Sequence, residues 1–264
     1  MRSVAHGSHF STCHVWFEQF LSIDDLNRLK AECKGIDYVV IHGNRASIEG
    51  KGFKSSRQYS LVSDLTSSNE ELLNLMTKTI RNEINRSERE NVEVLFHSSQ
   101  DLKSSLGIID GFARMYHEMY AQKGMESVQL PTKELAGYID ANQLIVSIAK
   151  IDGKPVVYHS HVYGDGCSRL LHSCSEFRVA DNATRNAIGR ANKYLHWTDI
   201  QRLKDMGTEK YDWGGVSSFD NPNGIDRFKM AFGPEPVEYC NISFSVSMKH
   251  RLYERIKSLW RCHG

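Results

Sequence analysis

Lys229 stands in the run Arg227-Phe228-Lys229, a turn or two after a strand-like stretch that stops at Asp212-Trp213-Gly214-Gly215. A fixed ammonium can stabilise an oxyanion that develops beside it. Glycines at a strand end let backbone approach a ligand closely or take a positive φ. Asp212 can then orient a substrate amine or Lys229, with Trp213, Gly214 and Arg227 as substrate contacts. The plainer reading of the same residues is a tight turn capped by Asp212. A short helix anchored by Phe228, Met230 and Phe232 would follow, with Arg227 and Lys229 as its solvated flanks. The two readings are compatible.

A second group is Tyr158-His159-Ser160-His161, followed one strand later by His172 and Cys174. Alternation puts His159, His161 and Tyr163 on one face, and Leu170, His172, Cys174 and Glu176 on one face of the neighbour. If those faces coincide, His161 or His172 can act as general base for an acceptor amine. Structural histidines and a zinc site built from these His and Cys174 are the other readings. Lys78, Arg81, Asn85 and Arg89 recur at i, i+3, i+7 and i+11, with Arg86 beside them. Such a ridge suits phosphate oxygens, or is a solvated face neutralised by Glu83, Glu88 and Glu90. Near the end, Lys249, His250, Arg251, Arg255, Lys257 and Arg261 alternate with Leu252, Ile256 and Leu259 in a basic amphipathic helix. It fits a peripheral contact with anionic lipid or tRNA, or ordinary packing.

These residues need elements to position them. Ser22 caps a helix that carries Asp24 and Asp25 in its first turn and stops at Gly35, before a strand Tyr38–Ile41. Residues 43–60 read as loop or irregular edge strand. Ser67-x-x-Glu70 is a capping box that opens one helix through Leu72, Met76, Ile80 and Ile84. Ile108 to Gln122 predicts another, ended by Gly124. Residues 143–151, 156–163 and 168–177 form an antiparallel meander, joined by Asp152-Gly153-Lys154-Pro155 and Gly164-Asp165-Gly166. A long helix, capped by Asp181 or Asn182 and closed by Gly207, leads to the strand Lys210–Gly215. A strand-helix-strand passage of that length implies a parallel neighbour. A short helix near 225–232, a strand at 237–246 and the basic helix complete the chain.

Composition narrows the function classes. The 264 residues are 40% hydrophobic and 25% charged, enough for one large domain or two small ones. A net charge of +1 supplies no global field for DNA or membrane, so any such contact is local. The six cysteines (13, 33, 167, 174, 240 and 262) include no CxxC pair, which favours reduced thiols in a cytoplasmic enzyme. No window approaches 18 apolar residues, and the N-terminal run lacks the apolar stretch of a signal peptide.

Three antiparallel strands, a crossover helix, a parallel strand, a helix and a last strand form the element order of the GNAT acyltransferases. In that α/β (α+β type) fold, two strands of a mixed sheet splay and free backbone N–H groups for an acyl carbonyl. "YDWGGV", then "GIDRFKMAFG" and "PVEY", resembles the end of the second GNAT-like module of the Fem-type (FemA, FemB, FemX) aminoacyltransferases. "KTIRNEINRSERENVEV" is similar to the Lys/Arg-rich helix closing their first module. The resemblance covers roughly 60–246. It implies an abbreviated N-terminal GNAT-like module at 1–95 and an acyltransferase module at 96–264. It places Lys229 near the reacting ester, and Lys78, Arg81 and Arg86 near a nucleotide-linked acceptor or a tRNA end. The implied activity is transfer of an aminoacyl or acyl group, from tRNA or CoA as co-substrate, to an amine of a cell-envelope saccharide or peptidoglycan-type precursor. No tightly bound cofactor is expected and the oligomeric state is left open. Asn186-x-x-Gly189-Arg190-Ala191 fits the spacing of the GNAT pyrophosphate turn, with Asn in place of Gln or Arg. A GNAT-like ligand-binding module without activity and a zinc-binding protein are the alternatives.

Overall fold

The computed structural model describes residues 1–177 and 181–261, so Cys262 lies outside the described residues. In chain order the elements are β1 (Arg2–His6), β2 (Ser11–Trp16), α1 (Ile23–Glu32), β3 (Tyr38–Asn44), β4 (Phe53–Asp64), α2 (Asn69–Leu75) and α3 (Lys78–Arg89). β5 (Glu93–Ser98), α4 (Ser99–Ser104), α5 (Leu106–Ala121), α6 (Thr132–Asp140), β6 (Leu144–Ile151), β7 (Lys154–Gly164) and β8 (Cys167–Ser175) follow. The chain ends with α7 (Asn182–Asp205), β9 (Lys210–Gly215), α8 (Gly224–Met230), β10 (Glu235–Ser245) and α9 (Met248–Arg261).

The chain packs as two units, and the division is not the sequential one expected near residue 95. Met1–Tyr59, Lys133–Ala141 and the described residues from Glu238 onward make the first; Ser60–Thr132 and the described residues of Asn142–Val237 make the second. The reason is strand pairing. β10 returns from the far end of the chain to lie antiparallel to β3, with Phe244 opposite Val39.

In the first unit the strand order is β1-β2-β3-β10, with β2 and β3 parallel and the other pairs antiparallel. The Ser22 cap closes as a full capping box with Asp25. It starts α1 so that Leu26 and Leu29 reach Val39, Ile41 and Phe244 in the core. α6 closes against β1 through Gly137, where a Cβ would stand 2.5 Å from the Val4 carbonyl oxygen.

In the second unit the order is β4-β9-β8-β7-β6-β5, parallel only between β8 and β9. This is the meander and crossover that the sequence predicts. One side of the sheet is covered by α7, whose Ile188, Ala191 and Leu195 pack on Ala149 and Val157. The other is covered by α5, where Phe112 stacks on Tyr158.

Two local expectations change. The single helix from 67 is two, because Met76 is extended (ψ 149°) and Thr77 caps α3 afresh. The opening box is Ser68 with Glu71, one residue later than predicted. Of the residues read as loop or irregular edge strand, 53–60 belong to the long strand β4. Lys54, Ser56, Arg57 and Gln58 are exposed there, so no apolar alternation marks the strand in the sequence.

Candidate active site

β8 and β9 pair at three positions only: Cys167 with Lys210, Ser168 with Tyr211 and Arg169 with Asp212. Beyond that point β8 continues beside β7 as far as Val157–Ser175, while β9 runs on beside β4 as far as Ser60–Gly215. The two parallel strands therefore separate within the sheet. Gly214 stands just past the last pair, where its backbone still approaches β8 closely. It sits at φ +81°, and a Cβ there would come within 3.2 Å of the Leu170 carbonyl oxygen.

Asp212 closes the strand end. It accepts hydrogen bonds from the Gly214 N–H (2.8 Å) and the Ser60 hydroxyl, and pairs with Arg169 Nη1. Its carboxylate is thus engaged by the turn and by Arg169, neither of which is a substrate amine or Lys229. Trp213 is fully buried in the core and donates to Ser63 Oγ at 2.9 Å, so it offers no face to a substrate.

Lys229 returns to this opening. Asn223 caps α8 with a full box to Asp226, and Asp226 also accepts from the Ser217 N–H and hydroxyl, which pins the preceding loop. The short helix then brings Lys229 Nζ to 2.8 Å from the Gly215 carbonyl oxygen and 3.7 Å from where a Gly214 Cβ would lie. Burial lowers its pKa and the Arg169 guanidinium adds to that, against the pull of Asp212 and Asp226. Arg227, two residues earlier, is exposed.

Next to this opening lies a pocket of about 310 Å³ between α5, the end of β8, α7 and α8. Met119, Phe177 and Phe228 supply apolar walls, and Lys193 and Asn192 supply polar groups. Lys229 does not line it; its neighbour Phe228 does. Lys193 pairs with Glu83 at 2.8 Å, and Asn192 Oδ1 stands 2.9 Å from His159 Nε2. Sequence reading singles out neither Asn192 nor Lys193, because both fall among ordinary polar positions of a long helix.

The histidines divide between the two faces of the sheet, which corrects the expectation that they meet. The ladder between β7 and β8 slips between Ser160 and His161, so Leu170 pairs with His161 but His172 pairs with Ser160. His172 therefore meets Tyr116 of α5, while His159 and His161 are fully buried facing α7. There His159 Nδ1 is 2.7 Å from Asp199 Oδ2, and His161 Nε2 is 3.2 Å from the Tyr211 hydroxyl and 3.6 Å from Asp199. Burial lowers the His161 pKa to about 4 and that of His196 well below the usual value. A neutral, enclosed imidazole of that kind is a poor base for an incoming amine. The expected zinc set with Cys174 is not assembled, since Cys174 pairs with Tyr158 on the α5 face. Ligand atoms of His159, His196 and Asp199 do cluster. Both nitrogens of His159 already have hydrogen-bond partners there.

Asn186, Gly189 and Arg190 lie four residues or more beyond the N-cap Asp181, inside α7, where N–H groups bond within the helix. The free N–H groups at its start, those of Ala183 and Thr184, are taken by Asp181 Oδ1. Arg190 is paired with Glu90. On the α3 ridge, Arg81 donates to the Leu73, Asn74 and Met76 carbonyls at the end of α2, and Arg86 pairs with Glu90. Lys78 is exposed on the first turn.

No protein-family model matches the chain, and no curated protein is similar to it. Among solved structures it is similar to FemX, at 13% identity over 96% of this chain and 85% of that one, with a TM-score of 0.62. It is also similar to L-PGS from Bacillus licheniformis (14% identity, 96% and 84% coverage, TM-score 0.52). A conserved protein of unknown function from Bacteroides thetaiotaomicron is a third (12% identity, 90% and 80% coverage, TM-score 0.52). The chain has the GNAT-like, Fem-type fold.

Proposed function

We propose that the chain is an acyltransferase that moves an aminoacyl group from an ester, that of aminoacyl-tRNA, onto an amine. The observation that carries this reading is the opening between β8 and β9 with the Lys229 ammonium held at its edge. The acceptor nitrogen attacks the ester carbonyl, and negative charge develops on the carbonyl oxygen beside Lys229. The bond from the carbonyl carbon to the ribose oxygen then breaks, and that oxygen takes the proton lost by the amine. No covalent enzyme intermediate is needed, and no histidine of the buried cluster takes part.

Two features favour the tRNA ester over a CoA thioester. The residues spaced like a pyrophosphate turn lie inside α7, and the N-terminal N–H groups of that helix already bind a carboxylate, which repels pyrophosphate. The resemblance to the Fem-type enzymes supports an acceptor amine on a cell-envelope saccharide or peptidoglycan-type precursor, and action in the cytoplasm, where charged tRNA is made.

The test supplies the purified chain with radiolabelled aminoacyl-tRNA or with acetyl-CoA, and with amine-bearing nucleotide-linked precursors. Label should pass from tRNA to the precursor. Lys229→Ala should slow transfer about a hundredfold at an unchanged melting temperature. Full activity in that variant removes Lys229 from the mechanism, and transfer from acetyl-CoA alone moves the donor to a thioester.

A further inference from the structure

The basic helix α9 has two unlike faces. His250 is buried, stacks on Tyr38 and shares a hydrogen bond of 2.8 Å with Ser245 Oγ, while Glu254 pairs with Lys54. These two residues, one turn apart, define the inner face. At about 100° per residue, the outer face falls on Met248, Leu252 and Ile256, which are 74%, 60% and 48% exposed. Arg251 and Arg255 flank that stripe on one side, and Lys249, which donates to the His9 carbonyl, lies on the other. A surface helix that serves only its own unit carries polar residues outward. An outward aliphatic stripe edged by cations is the pattern of a helix lying in the headgroup region of a bilayer.

A second observation adjoins it. A pocket of about 560 Å³ opens between α1, the start of β4, β10 and α9. Lys30, Lys51, Lys54, Arg251 and Arg255 line it over the rings of Phe53 and Phe244, and its one carboxylate, Glu254, is held by Lys54. Lys30 Nζ stands 5.3 Å from the Phe53 ring centroid and 5.8 Å from that of Phe244, with no carboxylate paired to it among the described residues. Its ammonium is half-buried, and burial together with Arg251 lowers its pKa. A cation held among cations over aromatic rings is stabilised by a bound anion.

We propose that the first unit docks on an anionic lipid surface, with Met248, Leu252 and Ile256 seated at the acyl boundary and the pocket around Lys30 holding a lipid phosphate. Phosphate alone explains the cations but not the stripe. Aliphatic side chains gain on leaving water for hydrocarbon and gain nothing against a nucleic-acid backbone. The docking is independent of the transfer reaction and is read without it.

The test is flotation of the full chain with vesicles of phosphatidylcholine, alone or with about a third phosphatidylglycerol. The chain should float with the anionic vesicles only, and salt should release it. Leu252→Asp combined with Ile256→Asp should weaken partitioning at least about tenfold at an unchanged melting temperature, since both side chains are exposed. Lys30→Gln and Lys51→Gln should each weaken it about fivefold. Equal flotation with neutral vesicles, no flotation at low salt, or a double Asp variant that floats like the parent overturns the proposal. So does binding of glycerol phosphate or tRNA by a chain that leaves vesicles untouched.

Discussion

The buried histidines make the fold acid-labile in a defined window. His161 is enclosed by His159 on its own strand, by Asp199 and His196 from α7 and by Tyr211 from β9. Burial is the largest cause of its lowered pKa, His159 adds to it, and Asp199 opposes it. The folded value is about 4 against 6.5 for a free imidazole. Below pH 6.5 the unfolded chain takes up a proton that the folded chain refuses. The stabilisation by the neutral ring is complete above pH 6.5 and is lost as pH falls toward 4. At about 1.4 kcal/mol per pH step, His161 alone removes about 3 kcal/mol by pH 4, a large part of a typical domain's 5–15 kcal/mol. His196 is lowered by burial too and acts in the same direction. So do His14, His97 and His250, and the comparison must therefore be made between chains. Urea unfolding at pH 7, 6, 5 and 4, followed by the fluorescence of the buried Trp197 and Trp213, gives the slope. In His161→Gln the slope should be shallower by about one proton between pH 6 and 4.5. Carboxylates with lowered values, such as Glu90 and Asp101, act below that range. Equal slopes in the two chains refute the assignment of a neutral, enclosed His161.

Two further substitutions test what positions the opening. Gly233→Ala places a Cβ 2.6 Å from the Leu75 carbonyl oxygen at φ +78°, and should lower stability by about 2–4 kcal/mol, measured by thermal or urea unfolding. Arg169→Ala leaves the buried Asp212 carboxylate without its cation and should cost about 3 kcal/mol; Arg169→Lys should recover part of it.

Several elements were legible because each carries a local signal. Ser22, Asp181, the Asp152-Gly153 turn and Gly207 mark boundaries by capping and backbone chemistry that acts within four residues, and the structure places a boundary at each. The parallel strand after the long helix follows from chain length and handedness alone. Less was legible where long-range pairing decides. Residues 53–60 form a strand with no apolar alternation, and the return of β10 to β3 assigns the chain's end to the first unit. Neither leaves a local mark. The pocket residues Asn192 and Lys193 sit among polar residues of α7, and only the placement of α5 and α8 distinguishes them.

The histidines show why residue type and spacing are not enough to choose a base. Alternation in β7 is regular, and in β8 it holds on each side of the slip at Leu171. That one slip sends Leu170 and His172 to opposite faces. A slip of this sort needs no glycine or proline and has no compositional signature. Its chemical consequence is large, because it parts His172 from His161, which the regular alternation of β7 has already buried under α7. Enclosed on the α7 face, His159 and His161 are not placed to take the proton of an amine attacking at the opening between β8 and β9. In the proposed ester transfer that proton goes to the leaving oxygen of the donor.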